Sequence, residues 1–329
     1  MTSGRKCCVV AAVGLCDNAY ESWVGQRASR ARGELAIPGS RPAADRPPPS
    51  AEWVAPHTPN TAAPWVSSVE NLVVSLKVSQ TDEFVECGYL HLRGAFPRSL
   101  ADACRDHLWR AIGCSPDDAG TWTKPVIRIP SMNEPPFGEA ANTRALHEAY
   151  DALVGPGRWS PLPGLGGFPV RFPHPDDPGD IGWHIDASFP PPDRPDCTDY
   201  SEWRLNLWSD GRALLLLFLF SDVAEDDAPT LIRVGSHLLT PPRLEPFGRN
   251  GTGTFLDPPG DGLPVSQATG EAGDVYLCHP FLVHSAQRIR GHRPRFLAQP
   301  SLPLIEGFDL DGPSAVERAI KRGLIASSG

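Results

Sequence analysis

The sequence lacks the features that mark membrane proteins and nucleic-acid-binding proteins. Its longest uninterrupted apolar run, Ala213 to Phe220, is far shorter than the roughly 20 residues that a membrane-spanning helix needs. No run of lysine and arginine occurs, and 39 acidic against 30 basic side chains give the 329-residue chain a formal net charge of −9. Surfaces that bind nucleic acid are basic. The sequence therefore predicts a protein that binds neither a membrane nor a nucleic acid.

Cysteine pairs with the spacing of a metal-binding motif are also missing. None of the cysteines forms a CxxC motif, which argues against a structural zinc site. A chain of this length does not need disulfides to hold its core, so we expect reduced thiols and a cytoplasmic location. Arg5 and Lys6 precede an apolar run that weakly resembles a secretion signal, but no clean small-x-small cleavage pattern follows it. The eight cysteines lie at positions 7, 8, 16, 87, 104, 114, 197 and 278.

Proline is unusually abundant, with 37 residues, and it divides the chain into two parts. Because proline breaks helix interiors, long helical bundles and repeat solenoids are poor candidates. The stretch from Pro38 to Pro64 is rich in Pro, Ala, Ser, Arg and Asp, a composition that buries too little apolar surface to fold. We expect residues 1–66 to be a disordered extension or the product of a mis-assigned start. Residues 67–329 are expected to form one domain.

Helices are predicted near both ends of this domain. Each predicted helix combines apolar residues at helical spacing with a capping residue or a terminal glycine. A short strand, Tyr89 to Leu92, is expected directly after the first helix. The predicted helices run from Thr81 to Gly88, from about Leu100 to Gly113, from about Leu146 to Gly155, and from Pro313 onward, the last with Ser314 and Glu317 as a capping box.

From Pro169 onward, short apolar runs alternate with Gly, Pro and Asp. Many short strands separated by turns indicate a sandwich or a jelly roll, in contrast to the long alternation of strands and helices in a parallel sheet. We therefore predict a mainly β fold with flanking α-helices. The runs are FPVRF, GWHIDASF, RLNLW, ALLLLFLF, TLIRV, DVYLCHPFLVH and RFLAQPSL.

The most informative short motif is His184-Ile185-Asp186. On a strand, residues i and i+2 point to the same face, so the imidazole and the carboxylate would meet at one place. A third ligand must come from elsewhere, and the run DVYLCHPFLVH offers His279 and His284. Two histidines and one carboxylate leave coordination positions open, which suits non-haem Fe(II) and O2 chemistry. The alternative is a buried, hydrogen-bonded His–Asp pair without a metal.

Arg295 follows His284 across a turn-rich segment. If residues 274–284 and 295–302 are adjacent strands of a hairpin, Arg295 lies at the same edge as His284 and close to the metal. A guanidinium there could take the far carboxylate of a five-carbon 2-oxo diacid through two parallel hydrogen bonds. Arg288, Arg290 and Arg293 are also nearby, and the position of Arg295 is what distinguishes it.

These motifs together resemble the phytanoyl-CoA dioxygenase (PhyH) family of Fe(II)/2-oxoglutarate-dependent oxygenases. The resemblance spans roughly residues 80–303 and rests on EFVECGYLHLRGAFP, the HxD motif, SDVAEDDAPTLIRVGSHL and GDVYLCHPFLVHSAQRIRGHRPRF, in the expected order. It implies a double-stranded β-helix, the jelly-roll or cupin-like barrel. It also implies His184, Asp186 and His284 as iron ligands and Arg295 as the residue that binds 2-oxoglutarate.

The same resemblance bears on the reaction. It implies decarboxylation of 2-oxoglutarate to succinate, with O2 consumed in hydroxylating or desaturating a small organic substrate. Asp186 occupies the position that related halogenases leave to chloride, so halogenation is disfavoured. His237 is interpreted as structural, and Ala286 stands where some relatives carry a hydroxyl residue that binds the co-substrate, so Ser285 or another residue would have to compensate.

Candidate substrate contacts follow from residue type and position. They are Trp122 and Lys124 at the mouth of the site, Asn206 in an apolar strand, and a lid formed by residues 187–203. The alternative, which residue type alone favours, is that Trp122 is a core aromatic and Lys124 a solvated surface lysine. Two other functions remain open: a metal enzyme on the same barrel that does not use 2-oxoglutarate, and a non-catalytic binding module. No obligate protein partner is evident.

Overall fold

The computed structural model describes residues 76–253 and 257–327, so the predicted extension over residues 1–66 lies outside the described residues. The helices are α1 Val78–Cys87, α2 Arg98–Ile112, α3 Pro135–Ala141, α4 Arg144–Val154, α5 Pro241–Leu244 and α6 Ala315–Ser327. The strands are β1 Tyr89–Leu92, β2 Val126–Met132, β3 Leu165–Arg171, β4 Arg212–Leu219, β5 Leu231–Arg233, β6 Val265–Gln267, β7 Val275–Cys278, β8 His284–Ser285, β9 Leu297–Ala298 and β10 Ser301–Pro303.

Strand β4 lies at the centre of the largest sheet. The sheet has the order β1-β7-β4-β10, β9 also pairs with β4, and every pairing is antiparallel. All residues of β4 are buried, which matches its continuous apolar sequence after Arg212. Leu215 stands opposite Cys278 and Phe218 opposite Val275, so the register of β7 against β4 is well defined.

The two faces of β4 support two different layers of core. Leu214, Leu216 and Phe218 belong to a large cluster with residues of the helices, including Leu108 of α2 and Leu146 of α4. The alternate residues join a second cluster that also contains residues of the smaller sheet β6-β5-β8 and its flanking loops. Its members include Leu215, Leu217, Leu219, Ile232, Ala268, Tyr276, Leu282 and Leu297. The large sheet is therefore packed between helices on one face and a second sheet on the other.

The strands form a sheet core with helices around it, and among the described residues they do not close into a barrel. Among residues 76–253 and 257–327 they divide into sheets of five, two and three strands, the two-stranded one being β2-β3. The mainly β core with flanking helices is confirmed, and the double-stranded β-helix stays a prediction.

The hairpin expected between residues 274–284 and 295–302 is wrong. The segment 274–284 bends after Cys278, so that β7 joins the large sheet while β8 pairs with β5 in the small one. Strands β9 and β10 pair with β4, which lies between them and β7. His279-Pro280 follows β7, and proline lacks the N–H that a continuing ladder would need.

The helix predictions are largely confirmed. The helices α1 and α2 end before glycines with left-handed backbone, Gly88 at φ 85° and Gly113 at φ 69°, and α4 ends before Gly155. Helix α1 begins at Val78, earlier than the predicted Thr81, because Gln80 caps it through the backbone of Lys77. The capping box of Ser314 and Glu317 at the start of α6 is present.

Within the described part of the chain, no helix is both long enough and apolar enough to cross a membrane. Five of the predicted thiols, Cys87, Cys104, Cys114, Cys197 and Cys278, are described there and all are free. The remaining three cysteines lie outside the described residues.

Candidate metal centre

Three side chains from distant parts of the sequence converge on one point. His184, Asp186 and His284 each offer a ligand atom, and these atoms all lie within 4.8 Å of one another. Nε2 of His184 is 3.6 Å from Oδ1 of Asp186, and Nε2 of His284 is 3.8 Å from Oδ2 of the same carboxylate. The two imidazole ring centroids are 4.4 Å apart. The arrangement is that of a facial triad with one side left open.

Backbone pairing holds the two histidines together. His184 and His284 form an antiparallel bridge in which each N–H donates to the other residue's carbonyl oxygen at 3.0 Å. His284 begins β8, which also pairs with Ile232 of β5. The predicted strand around the HxD motif is reduced to this single bridge, since residues 185–188 are outside regular strands. Directly opposed residues share a face, so both imidazoles point to the same side.

The hydrogen bonds of the two rings leave the inward nitrogens available. Nδ1 of His184 lies 2.8 Å from the carbonyl oxygen of Gly182, and Nδ1 of His284 lies 3.1 Å from that of Leu282. A carbonyl only accepts, so Nδ1 carries the proton and donates in both rings. Metal binding requires a neutral imidazole, and with Nδ1 held in this way the lone pair of Nε2 is the one that faces Asp186. This is how carbonyl groups usually fix the tautomer of a metal-binding histidine.

The charges at the centre favour a deprotonated ligand set. Burial lowers the pKa of His284 to about 4, with the charge of His184 acting in the same direction, so the ring is neutral at pH 7. Burial alone would raise the pKa of Asp186, but the charges of His284, Arg212 and His184 bring it below its usual value. At neutral pH the imidazole of His284 is therefore neutral and Asp186 is a carboxylate.

Arg212 holds the backbone of the HxD segment through hydrogen bonds. The sequence analysis did not predict this role. Its guanidinium donates to the carbonyl oxygens of Asp186 at 3.2 Å and Ala187 at 2.8 Å, and to Oγ of Ser301 at 2.8 Å. Nη1 is also 3.6 Å from the Asp186 carboxylate. A buried arginine at the start of an apolar run was the signal that could have identified it.

Arg295 lies within a cluster of arginines. It is only 1% exposed, and it donates to the carbonyl oxygens of Ala228 and, at 3.3 Å, of Pro169. Arg171 pairs with it in a second antiparallel bridge and is only 2% exposed. Arg128 and Arg171 both donate to Oδ2 of Asp180. Neither Arg171 nor Asp180 was predicted, because their association depends on strand pairing.

Two other histidines that the sequence analysis considered, His279 and His237, lie away from the triad. His279 is fully buried beside Phe281 and His237, and its ring accepts from the backbone N–H of Phe281 at 3.1 Å. The structure brings His284, and not His279, to His184 and Asp186. His237 is hydrogen-bonded to the carbonyl oxygen of Val85, and burial lowers its pKa to about 4, in line with the predicted structural role.

The predicted substrate residues differ in how far their polar groups are engaged. Trp122 packs against Trp109 and Phe172 and donates to the carbonyl oxygen of Ser115. Asn206 lies in a turn, not in a strand, and donates to Asp210 and to the backbone of Arg249. Lys124 is exposed. Their roles in substrate binding stay predictions.

The segments around the centre are tied down by local contacts. Oγ of Ser285 accepts from the backbone N–H of Gly182 at 3.2 Å and donates to the carbonyl oxygen of Ala286 at 2.8 Å. In the predicted lid over residues 187–203, the hydroxyl of Tyr200 donates to the carbonyl oxygen of Ala187. Ser285 is therefore engaged in joining the HxD loop to β8.

No family model matches the chain, and neither does any curated protein sequence. Among solved structures, the chain is similar to the epimerase SnoN in complex with Fe3+, alpha ketoglutarate and nogalamycin RO, at 16% identity and a TM-score of 0.46, covering 67% of this chain and 80% of that one. It is also similar to HygX from Streptomyces hygroscopicus with nickel and 2-oxoglutarate bound, at 20% identity and a TM-score of 0.46. This match covers 73% of this chain and 95% of the HygX chain. GIG2 (DUF1479) from Candida albicans matches at 12% identity and a TM-score of 0.46, covering 68% of this chain and 62% of the GIG2 chain. At such identities and TM-scores, the function has to come from this chain's own residues.

Proposed function

We propose that this protein is an Fe(II)/2-oxoglutarate-dependent oxygenase of the PhyH type that hydroxylates or desaturates a small organic substrate. The observation that carries the proposal is the convergence of His184, Asp186 and His284, with their ligand atoms within 4.8 Å of one another. His284 follows Asp186 by 98 positions, so proximity along the chain does not explain why it lies beside the HxD motif. The proposed fold is the double-stranded β-helix, and the proposed location is cytoplasmic.

The donor set fits ferrous iron. Imidazole nitrogen and carboxylate oxygen are ligands that iron accepts, and three protein ligands leave positions for a chelating co-substrate and O2. The side chains of His184 and Asp186 are 25% and 22% exposed, so one side of the centre is open. Both Nδ1 atoms are held by carbonyl oxygens, which orients the rings before a metal binds. When bound, the iron would supply the activation of O2 that hydroxylation requires.

The chain's own residues would position the reactants. Arg212 holds the backbone of Asp186 and Ala187, which fixes the carboxylate relative to both rings. Arg295 is buried, and it follows His284 along the chain by eleven residues. Its guanidinium would bind the carboxylate of 2-oxoglutarate that does not chelate the metal. Burial of both arginines keeps competing water away from these contacts.

The two other candidate functions make different predictions. A metal enzyme of this fold that uses no 2-oxoglutarate would retain metal binding without needing Arg295. A non-catalytic module would not need the open side of the triad. The buried arginine cluster around Arg295 favours the use of an anionic co-substrate.

The test is anaerobic titration of the metal-free protein with Fe(II) and 2-oxoglutarate, followed by admission of O2. We expect a metal-to-ligand charge-transfer band, then O2-dependent formation of succinate. His184→Ala and Asp186→Ala should lose both signals, whereas His279→Ala, which removes a buried histidine outside the triad, should keep the band in any folded protein. Succinate formation by the two triad variants at the parent's rate would disprove the ligand assignment.

Arg295→Ala separates the two metal-dependent functions. Loss of a charged, bidentate contact in a dry site costs about 2–5 kcal/mol, so the affinity for 2-oxoglutarate should fall by at least about 30-fold. Fe(II) binding without 2-oxoglutarate should change little. If Arg295→Ala binds 2-oxoglutarate as tightly as the parent does, the result would favour the other candidate, a metal enzyme that does not use 2-oxoglutarate.

A further inference from the structure

We propose that Arg171 is a second guanidinium of the co-substrate site. Together with Arg295 it would bind the far carboxylate of the five-carbon 2-oxo diacid, and Asp180 would be an internal counter-ion that competes with that carboxylate for Arg171. This inference rests on the proposed function and names a binding residue and a competing group within the same site.

Backbone pairing places the two arginines side by side. Arg171, at the end of β3, and Arg295 exchange both backbone hydrogen bonds, at 3.0 and 2.9 Å. In such a pair the Cα atoms are about 5.5 Å apart and the side chains leave the same face. Arg128 belongs to the same face, because it lies two residues after Val126, which stands opposite Arg171. One face of this sheet region therefore carries three guanidinium groups.

The hydrogen bonds of the pair are incomplete. Nε and Nη1 of Arg171 and Nε of Arg295 are buried and have no hydrogen-bond partner among the residues that the structure describes. Arginine stays protonated at neutral pH and has only donors to offer. Buried donors without acceptors destabilise a fold, so their presence on two facing, almost fully buried arginines indicates a site built for an anion.

The charges around the pair do not balance. Asp180 is the carboxylate that contacts the cluster, and its Oδ2 accepts from both Arg128 and Arg171. Arg295 instead donates to neutral carbonyl oxygens, including that of Ala228. Three guanidinium groups facing one carboxylate leave a surplus of positive charge, which a ligand carboxylate would reduce.

The cluster is linked to the metal centre by two short pieces of chain. The segments 171–184 and 284–295 are paired at both ends, through Arg171 and Arg295 at one end and His184 and His284 at the other. Asp180 is four residues before His184, so their Cα atoms are at most about 14 Å apart. In this proposal, a co-substrate that binds the metal through its 2-oxo acid group extends its second carboxylate along these segments toward Arg171 and Arg295.

Asp180 has the properties of a competing group. It is 6% exposed at the side chain, lies on the loop between β3 and the HxD motif, and contacts Arg171 through one oxygen only. Within residues 76–253 and 257–327, its Oδ1 has no hydrogen-bond partner. A ligand carboxylate that binds Arg171 adds acceptors for its spare nitrogens but must share the guanidinium with Asp180.

The experiment compares 2-oxoglutarate with 2-oxopentanoate, which lacks the far carboxylate. Each is titrated calorimetrically into Ni(II)-loaded full-length protein, where no turnover occurs. Chelation of the metal is common to both acids, so the ratio of their affinities isolates the contribution of the arginines. We expect Arg171→Gln to weaken 2-oxoglutarate binding about 10- to 100-fold, the range for a charged hydrogen bond, and to leave 2-oxopentanoate binding unchanged.

Two more variants test the role of Asp180. Asp180→Asn removes the competing charge, and we expect 2-oxoglutarate to bind several-fold more tightly. Arg171→Gln combined with Asp180→Asn removes both buried charges together, which guards against misfolding from an unpaired group, and should bind as weakly as Arg171→Gln alone. Arg290→Gln, an exposed arginine paired with Asp226, is the matched control and should behave like the parent.

Parent-like binding of 2-oxoglutarate by Arg171→Gln or by the double variant would overturn the inference, and weaker binding by Asp180→Asn would overturn the competition. Failure of the proposed function is distinguishable. A protein that binds no Ni(II) can still be tested without metal, by the shift in Tm that glutarate produces. An Arg171-dependent shift in such a protein supports the anion site while contradicting the oxygenase.

Discussion

Replacement of Arg212 by methionine should affect both the stability of the protein and its affinity for metal. The side chain is 5% exposed and donates two hydrogen bonds of 2.8 Å, to Ser301 and Ala187, besides its contacts with Asp186. A hydrogen bond from a charged group contributes about 1.5–3 kcal/mol, so losing two should lower the free energy of unfolding by about 3–6 kcal/mol. Methionine has a similar length and leaves little cavity.

Two effects act on the metal in this variant. Removal of a positive charge 3.6 Å from Asp186 favours a divalent cation, whereas loss of the backbone anchors misplaces the carboxylate. We expect misplacement to dominate, because loss of the groups that orient metal ligands typically weakens metal binding about 10- to 100-fold. Arg212→Lys keeps the charge but loses the planar fork, so it should also bind metal more weakly.

The measurements are urea unfolding and titration of the metal-free protein with Fe(II) under anaerobic conditions. Arg98→Met is the control, since this exposed arginine makes ion pairs only at the surface and should change the free energy of unfolding far less than Arg212→Met does. Unchanged or tighter metal binding by Arg212→Met would refute the positioning role. Parent-like unfolding would refute the assigned hydrogen bonds.

Two further predictions concern stability. Phe218→Ala should lower the free energy of unfolding by about 3–5 kcal/mol, because the ring is fully buried in β4 beside Phe96 and Phe220. The control is Val78→Ala, at a residue 76% exposed, which should change the free energy of unfolding by no more than about 0.5 kcal/mol. Equal effects of the two variants in urea unfolding would contradict the described core. Burial alone would raise the pKa of Glu317, but hydrogen bonds from Arg158 and Ser314 and from backbone N–H groups hold this pKa below its usual value. The contribution of the carboxylate to the free energy of unfolding is therefore complete above the unfolded-state pKa. It is lost as the pH falls through the lower folded-state pKa. Glu317→Gln should therefore be less stable than the parent at pH 7, with the difference narrowing at acidic pH; a constant difference across the pH series would show that this carboxylate is not the titrating group.

Local sequence signals predicted the helices well and the sheet poorly. Glycines able to adopt a left-handed backbone ended α1 and α2, and the capping box marked the start of α6, because each signal acts over a few residues. The segment 274–284 was predicted as one strand from its apolar sequence. Periodicity does not reveal where a strand leaves one sheet for another, so the division into β7 and β8 was missed.

The candidate metal centre shows the same contrast. The sequence by itself supplied the residue types for a facial triad, an HxD motif and a later histidine, and Arg295 followed in the order that the family resemblance implies. Tertiary structure decided which histidine approaches the motif, through the bridge between His184 and His284.

Tertiary structure also assembled the surroundings that no spacing predicted. Arg171 faces Arg295, and Arg212 lies beneath Asp186, because strands from distant parts of the chain pair in a particular register. Residue type and local spacing are encoded along the chain and can be read there. Which buried charges become neighbours depends on long-range pairing, and the energy that selects this pairing comes from the packing of both faces of β4.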